Sequence, residues 1–417
     1  MKAELNFGKS VQCVNIENEG NVTLLNPNVV PLPKETEIEL VENALLNPIE
    51  SPRLKDICTP GKKIAIVTSD ITRPCPSYKM LPPLLKELAL ANVGFSDVTI
   101  VFALGSHRRH TEEEMRRLVG DDVFEKVSCI DSKGDFVHLG ETSSGTPVDI
   151  FAPVANADIR ICLGNIEYHY FAGYSGGAKA IMPGVSTREA IQANHSKMVL
   201  DDARAGLLDG NPLRQDIDEV ANFCHIDFIL NVVLDEHKKI VAAVAGHYIK
   251  AHRQGCKFLD SLYGVKIKEK AKIVIASSGG FPKDINLYQA QKALDNAKHA
   301  VADGGVIILC ASCAEGFGEG VFEKRMQEVE KSEDWVTMIQ QKFELGAHKA
   351  AAIGLVLKKA KIYAVTDLDD ELIQRIFFKP FKSVQEAFDA ALDEFGKDSS
   401  VIIMPFAGST LPIAENA

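Results

Sequence analysis

Lys179 and His169 stand ten positions apart in the segment Asn165-Ile-Glu-Tyr-His-Tyr-Phe-Ala-Gly-Tyr-Ser-Gly-Gly-Ala-Lys-Ala-Ile-Met-Pro-Gly184, which holds five glycines or prolines in twenty positions. Such a stretch is poor at making core and good at letting backbone approach a ligand. The free amides of a loop rich in glycine (Gly173, Gly176, Gly177), with Ser175 and one lysine, suit a phosphate or similar anion. The lysine amine can also anchor a cofactor covalently, and a histidine beside it can move protons near neutral pH. Lys179 is followed by Ala180 rather than Ser or Thr, which departs from the phosphate loop of nucleotide triphosphatases.

Four further clusters carry chemistry-bearing side chains. Ser69-Asp70-Ile-Thr72-Arg73-Pro74 joins a carboxylate, a hydroxyl and a guanidinium suited to bidentate carboxylate recognition. Gly105-Ser-His107-Arg-Arg-His110-Thr111 precedes Glu114, and Thr111 with Glu114 forms a capping box that explains the threonine but not the histidines or arginines. His195, in Ala193-Asn-His-Ser-Lys197, lacks a second metal-type residue at helical spacing, so it suits a metal only beside a ligand-bearing cofactor. Ser277-Ser-Gly-Gly-Phe-Pro-Lys-Asp284 leads to Tyr288, Gln289 and Lys292 on one helical face. Three weaker features complete the survey. Cys310-Ala-Ser-Cys313 reads as small residues packing at a strand end. Gly316-Phe-Gly-Glu-Gly320 is a poor pyrophosphate loop because of Glu319, and Gly346-Ala-His-Lys349 interrupts an apolar helical region without an evident role.

The elements that must position these groups are short apolar strands alternating with helical segments. Ile64–Thr68, Val98–Leu104, Ile159–Leu163, Ala271–Ala276, Gly305–Cys310, Lys361–Val365 and Val401–Met404 read as strands. Tyr78–Asn92, Leu287–Ala302 and Trp335–Lys359 read as helices, the last broken near Gly346, and the lysine-rich Val265–Lys272 reads as a hinge. Near-continuous apolar strands separated by helices mark an α/β fold with largely parallel sheets. Ligands of such sheets bind where loops leave the carboxyl ends of strands, and most of the unusual clusters lie at such points.

At 417 residues the chain exceeds one ordinary core, so two domains are expected. Its net charge of −11 argues against nucleic acid or an anionic membrane as partner. The first residues lack a signal-peptide core, no run is apolar enough to span a bilayer, and nine cysteines show no disulfide framework. A cytoplasmic location is expected from these features.

Together the motifs Asp-x-Thr-Arg-Pro, Gly-Ser-His-Arg, Glu-Tyr-His-Tyr-Phe-Ala-Gly-Tyr-Ser-Gly-Gly-x-Lys, Asn-His and Gly-Gly-x-Pro-x-Asp-x-x-x-Tyr-Gln-x-x-Lys resemble, in order and spacing, the nickel-dependent lactate racemase family of 2-hydroxyacid racemases and epimerases. The resemblance implies a nickel-pincer nucleotide, a pyridinium-3,5-bisthiocarboxylic acid mononucleotide carrying nickel, linked through Lys179, with His195 as the protein's nickel ligand. It implies His107 and His169 as paired acid/bases, and Asp70, Arg73, Gln289 and Lys292, with Tyr288, around substrate. Asp70 and Thr72, with Ser175, Gly176 and Gly177, are also expected at the cofactor. The cofactor would lie in a crevice between two α/β domains: residues 1–266 with a returning tail 406–417, and residues 267–405. The implied partners are a small 2-hydroxyacid and cofactor-biosynthesis proteins. The implied reaction removes the C2 hydrogen as hydride while a histidine takes the hydroxyl proton, then returns hydride to the other face.

The single tryptophan, Trp335, matches no active-site aromatic of lactate-specific members, and Tyr168, Tyr170 and Phe171 could shape a different pocket. Larger 2-hydroxyacids and sugar acids epimerised at C2 therefore stay open as substrates. A nicotinamide-dependent dehydrogenase would need G-x-G-x-x-G after its first strand, where Asp70-Ile-Thr-Arg-Pro74 stands instead. A non-catalytic binding protein on this scaffold would not need His107, His169 and Lys179 together.

Overall fold

The computed structural model describes residues 1–28, 30–31 and 33–414. Its contacts separate into two compact units, one of residues 30–260 and one of residues 1–29 with 261–417. No helix among the described residues is long and apolar enough to cross a membrane.

The 30–260 unit is built on a six-stranded sheet in the order Ile240–Gly246, Phe228–Leu234, Ile159–Ile166, Ile64–Ser69, Val98–Ala103, Ser128–Asp131. All neighbours run parallel except the edge strand Ile240–Gly246. The central strands are buried on both faces, as their near-continuous apolar runs require. Helix Ser77–Leu90 covers one face with Met80, Leu81, Leu84, Leu85 and Leu88. It begins only after Pro74 and Pro76, and Asn92 closes it in the left-handed region at φ 58°.

The second unit carries an all-parallel sheet in the order Lys379–Phe381, Ala360–Val365, Val301–Cys310, Ala271–Ser277, Val401–Met404, Val22–Leu24. Its flanking helices include Leu287–Ala297, Ala347–Leu357 and Val384–Phe395. The expected helix over 335–359 is two helices, Ser332–Gln341 and Ala347–Leu357, parted by Gly346 at φ 93°. Trp335 is core here: its indole N–H donates to Arg325 O at 2.8 Å and its ring meets Phe377 edge-on.

The division of the chain differs from the expected domains. Residues 1–29 pack with the second unit, because hairpin Lys2–Phe7/Ser10–Asn15 points Ala3, Leu5 and Phe7 into the core formed by Ile273, Ile275, Val306 and Ile308. Strand Val22–Leu24 then pairs with Val401–Met404 and forms the edge of that sheet. The tail strand Leu411–Ala414 pairs in parallel with Gly264–Ile267, the last residues of the expected first domain, and both strands fall in the second unit; residues 415–417 lie outside the described residues. The expected hinge 265–272 thus contributes most of that strand, and its last two residues open the next.

Candidate active site

His107 and Asp70 leave adjacent parallel strands, and their loops meet. His107 Nδ1 lies 2.5 Å from Asp70 Oδ2, and the Thr72 hydroxyl donates to Asp70 Oδ1 at 2.8 Å. Asp70 is buried, and burial works to raise its pKa. The hydrogen bond and charge of His107, with Thr72 and Arg73, overcome this and hold the carboxyl below its usual range. Asp70 therefore spends its oxygens on orienting His107 and Thr72, and Arg73 stands exposed beside them. Beneath this pair, Asp131 accepts from the His110 backbone N–H at 2.9 Å and lies 2.7 Å from His110 Nδ1, while His110 Nε2 accepts from the Ile71 N–H at 3.0 Å. That pattern fixes a neutral imidazole with its proton on Nδ1, and it ties the Asp70 loop to the His107 loop.

His169 sits in a two-residue ladder, Tyr168–His169 against Gly173–Tyr174, at the end of the central strand Ile159–Ile166. Gly173 has φ +76°, and a Cβ there would lie 2.0 Å from Leu207 O, so no other residue fits. Gly176 and Gly177 follow, then a tight helical turn Gly177–Ala180 carries Lys179. The Ser175 hydroxyl, expected at the cofactor, donates to Asn165 O at 2.7 Å and accepts from the Glu167 N–H at 2.9 Å, which closes the loop on itself.

Phe171 gathers three of the expected residues. Its ring lies edge-on to His169 at 4.4 Å and to His195 at 4.9 Å, and Lys179 Nζ stands 5.9 Å from its centroid. His195 ends helix Arg188–His195, buried, with Nδ1 3.1 Å from Asn194 Oδ1. Burial first, then the charges of Arg214 and Arg73, hold the Lys179 amine well below the usual ammonium range, against an opposing pull from Glu167. Burial, then Lys179, Arg73, His195 and Arg214, likewise keep His169 well below the usual imidazole range. The result is a positive pocket in which the Lys179 amine and the His169 imidazole are both shifted toward their neutral forms, the one a nucleophile and the other a base. Among the described residues no group of three or more His, Cys, Asp and Glu side chains could hold a metal by itself.

In the second unit Tyr288, Gln289 and Lys292 lie on helix Leu287–Ala297, capped by Asn286, whose side chain accepts from the Gln289 N–H at 3.0 Å. Gly316 and Phe317 brace this helix through carbonyls that accept from the Leu287 and Tyr288 N–H groups, so that glycine stretch is a support rather than a dinucleotide loop. The preceding Gly-Gly-x-Pro-x-Asp motif docks the N-terminal hairpin. Asp284 accepts from the Gly8 N–H at 2.6 Å and the Ser312 N–H at 3.1 Å, and the Phe281 N–H donates to Gly8 O at 2.8 Å. Cys310 and Cys313 are free, buried thiols; burial raises both, Cys313 to about 12, which favours the protonated thiol.

The sequence matches family models of the lactate racemase N-terminal domain over residues 7–207 and the lactate racemase C-terminal domain over residues 266–410. It is 35% identical to the lactate racemase of Thermoanaerobacterium thermosaccharolyticum across 96% of this chain and 97% of that one. The chain belongs to the lactate racemase family. The lactate racemase of Lactiplantibacillus plantarum is 34% identical across 89% of this chain and 90% of that protein. The solved lactate racemase apoprotein of T. thermosaccharolyticum superposes with a TM-score of 0.86 at 34% identity, covering 99% of this chain and all of that one. A Thermotoga maritima protein of 16% identity shares the fold at a TM-score of 0.60, across 93% of this chain and all of that one. Membership of a racemase family makes the chain an isomerase, as its motifs led one to expect.

A supporting layer escaped the reading of the sequence. In this member of the lactate racemase family, fully buried Arg214 donates to Ala172 O and Tyr174 O. His252 Nε2 lies 2.7 Å from Ser175 O, Asn231 Oδ1 accepts from the Gly177 N–H at 2.8 Å, and Asp260 accepts from both Tyr168 and Tyr174 hydroxyls at 2.7 Å. Two signals were available. Asn231 is polar within the otherwise apolar strand Phe-Ile-Leu-Asn-Val-Val-Leu, and His252, Cys256 and Asp260 repeat every four residues along one helix face.

Proposed function

We propose that this chain inverts the C2 centre of a 2-hydroxyacid, lactate or a related compound, with a nickel-pincer nucleotide attached at Lys179. The observation that carries this reading is the gathering of His169, Lys179 and His195 around Phe171, with the amine and the His169 imidazole both shifted toward their neutral forms. The residues present fit that group. A Lys179 amine shifted toward its neutral form suits covalent attachment, and the positive charges of Arg73 and Arg214 suit an anionic nucleotide. With its proton on Nδ1, toward Asn194 Oδ1, His195 carries its lone pair on Nε2 for a metal. The bound group would supply a reversible acceptor for the C2 hydrogen as hydride.

The protein supplies positioning and proton transfer. His107, steadied by Asp70, takes or returns the hydroxyl proton of one enantiomer, and His169 does so for the other. Arg73 is offered for the substrate carboxylate, Tyr288, Gln289 and Lys292 keep the substrate-binding role that the family resemblance implies, and Asp70, Thr72, Ser175, Gly176 and Gly177 hold the loops that face the cofactor. Proteins that build and insert the cofactor are the implied partners, and nine free cysteines agree with a cytoplasmic location.

The test is expression in a host carrying the nickel-pincer pathway, followed by intact mass, peptide mapping and nickel analysis. A nucleotide-sized adduct on Lys179, about one nickel per chain by this reading, and interconversion of both enantiomers of a 2-hydroxyacid are expected. An unmodified Lys179 in a host that loads a known racemase would refute the proposal.

A further inference from the structure

Asp218 and Arg253 have no part in the reading above, yet both connect to the turn between His169 and Lys179. Asp218 lies on helix Pro212–Glu219 with its side chain 13% exposed. Its Oδ2 accepts from Arg253 Nη2 at 2.5 Å, and its Oδ1 lies 3.6 Å from Arg214 Nη1. Each guanidinium then serves a different part of the turn. Arg214, fully buried, donates through Nε to Ala172 O at 3.3 Å and through Nη2 to Tyr174 O. The N–H of the same Ala172 donates to His169 Nδ1 at 3.3 Å. Arg253, on helix Lys250–Tyr263, donates through Nη1 to His252 Nδ1 at 2.9 Å. An arginine cannot accept, so this contact leaves the imidazole proton on Nε2, 2.7 Å from Ser175 O. The ring held in this way is the floor of the turn, since a Cβ on Gly177 would lie 3.0 Å from His252 Cγ. The Lys179 N–H closes the far side by donating to Gly176 O at 3.3 Å.

One carboxylate therefore stands behind donors to the carbonyls of Ala172, Tyr174 and Ser175. An amide or hydroxyl in its place would serve one guanidinium; two guanidiniums from two helices need two acceptor oxygens and a negative charge. Burial works against the charged form of Arg214, Arg253 adds to that, and Asp218 opposes both. We propose that Asp218 is a positioning residue: through Arg214 and Arg253 it fixes the turn that sets the His169 imidazole and the Lys179 amine in their working places. This rests on the racemase reading for what those two groups do.

The experiment centres on Asp218→Asn, which keeps the size but turns a donor toward one guanidinium. In the cofactor-free protein, amide hydrogen exchange of peptides covering 169–180 should be about 10-fold faster or more in the variant, with strand Ile64–Ser69 unchanged. In protein made with the nickel-pincer pathway, rates are taken per Lys179 adduct counted by peptide mapping, on the fastest of lactate, glycerate and malate. On that basis kcat should fall by about 10- to 100-fold with KM within about twofold. Asp218→Glu keeps both acceptor oxygens and should restore most of kcat. Arg253→Met removes one arm, at a side chain 21% exposed; it should give the same pattern at smaller size, and it decides the matter if Asp218→Asn does not fold. A carboxylate that only stabilises the fold would leave kcat per adduct at the wild-type value, which would overturn the proposal. Exchange unchanged in 169–180, or raised equally in Ile64–Ser69, would overturn it too. A wild type without the adduct in a host that loads a known racemase, or inert toward all three acids, would overturn the racemase reading and this role together.

Discussion

Replacing Asp216 with Asn should unfasten the ground on which His195 stands. Asp216, 2% exposed on helix Pro212–Glu219, accepts from Thr142, Ser144 and Thr146 hydroxyls at 2.5, 2.6 and 2.6 Å, from Asn194 Nδ2 at 2.7 Å and from Lys197 Nζ at 2.8 Å. It thereby joins the turn after strand Phe136–Glu141 to the end of the helix carrying His195. Burial works to raise this carboxyl, but Lys197 and the three hydroxyls take it from 3.8 to about 2. At 1.36 kcal/mol per tenfold change in the equilibrium, that drop is worth about 2 kcal/mol of folding stability. Leaving Lys197 without its carboxylate adds to the cost, so Asp216→Asn should destabilise the 30–260 unit by about 2–4 kcal/mol at pH 7. The folded pKa lies below the unfolded one, so this stability is fully present above about pH 5 and is lost as pH falls through 4 toward 2. The gap between wild type and variant should be flat from pH 8 to 5 and close below 4. Tryptophan fluorescence would report the wrong unit, because Trp335 lies in the other. Amide hydrogen exchange on peptides covering 142–146 and 190–197, in the cofactor-free protein, reads the right region. A difference under about 0.5 kcal/mol at pH 7, far below the linkage value, or a gap that closes as pH rises, would refute the reasoning.

Gly173→Ala should prevent the His169 ladder from forming, since its Cβ would collide with Leu207 O; peptide mapping after expression with the cofactor pathway should then find no Lys179 adduct. Arg73→Gln removes a charge that depresses the Lys179 pKa, so acylation of Lys179 at pH 7 by a small amine-directed reagent, followed by peptide mass, should slow several-fold. His110→Phe keeps the ring on Phe102 but strands buried Asp131 and the Ile71 N–H. It should cost about 1–3 kcal/mol in urea unfolding and should lower kcat of the loaded enzyme more than it raises KM, because His107 loses its frame.

The sheets were legible because parallel strands announce themselves as continuous apolar runs: Val401–Met404 was found to the residue, and Ile64–Thr68 and Lys361–Val365 each missed a single terminal residue. The first 29 residues were not. Their hairpin alternates buried and exposed positions, a pattern that says one face is covered but not by which core. The second sheet takes that face, and nothing local in Lys2–Phe7 distinguishes it from the nearer one. The Gly-Gly-x-Pro-x-Asp motif holds the missing half of that information, since its Asp284 and Gly280 receive the Gly8 turn, but its residue types suit a ligand equally well.

The same asymmetry governs the site. The groups proposed to react lie at strand tips and declare themselves by type: His107, His169, Lys179. Groups that hold them are remote in the chain. Arg214 is 40 residues from Tyr174, Asn231 is 54 from Gly177, His252 is 77 from Ser175 and Asp260 is 92 from Tyr168. Each grips a backbone or tyrosine group of one loop, and each is buried polar surface that costs stability unless its partner is in place. A loop with this much glycine has high conformational entropy to lose. Four separate anchors from one strand and two helices are what turn its sequence into a fixed geometry, and they do so while keeping Arg214 close enough to add to the burial that lowers the Lys179 pKa. The supporting layer and the electrostatic setting of the amine are therefore one structure. A substitution there should change the reactivity of Lys179 together with the order of the loop, whereas substitution of His107 should leave both untouched.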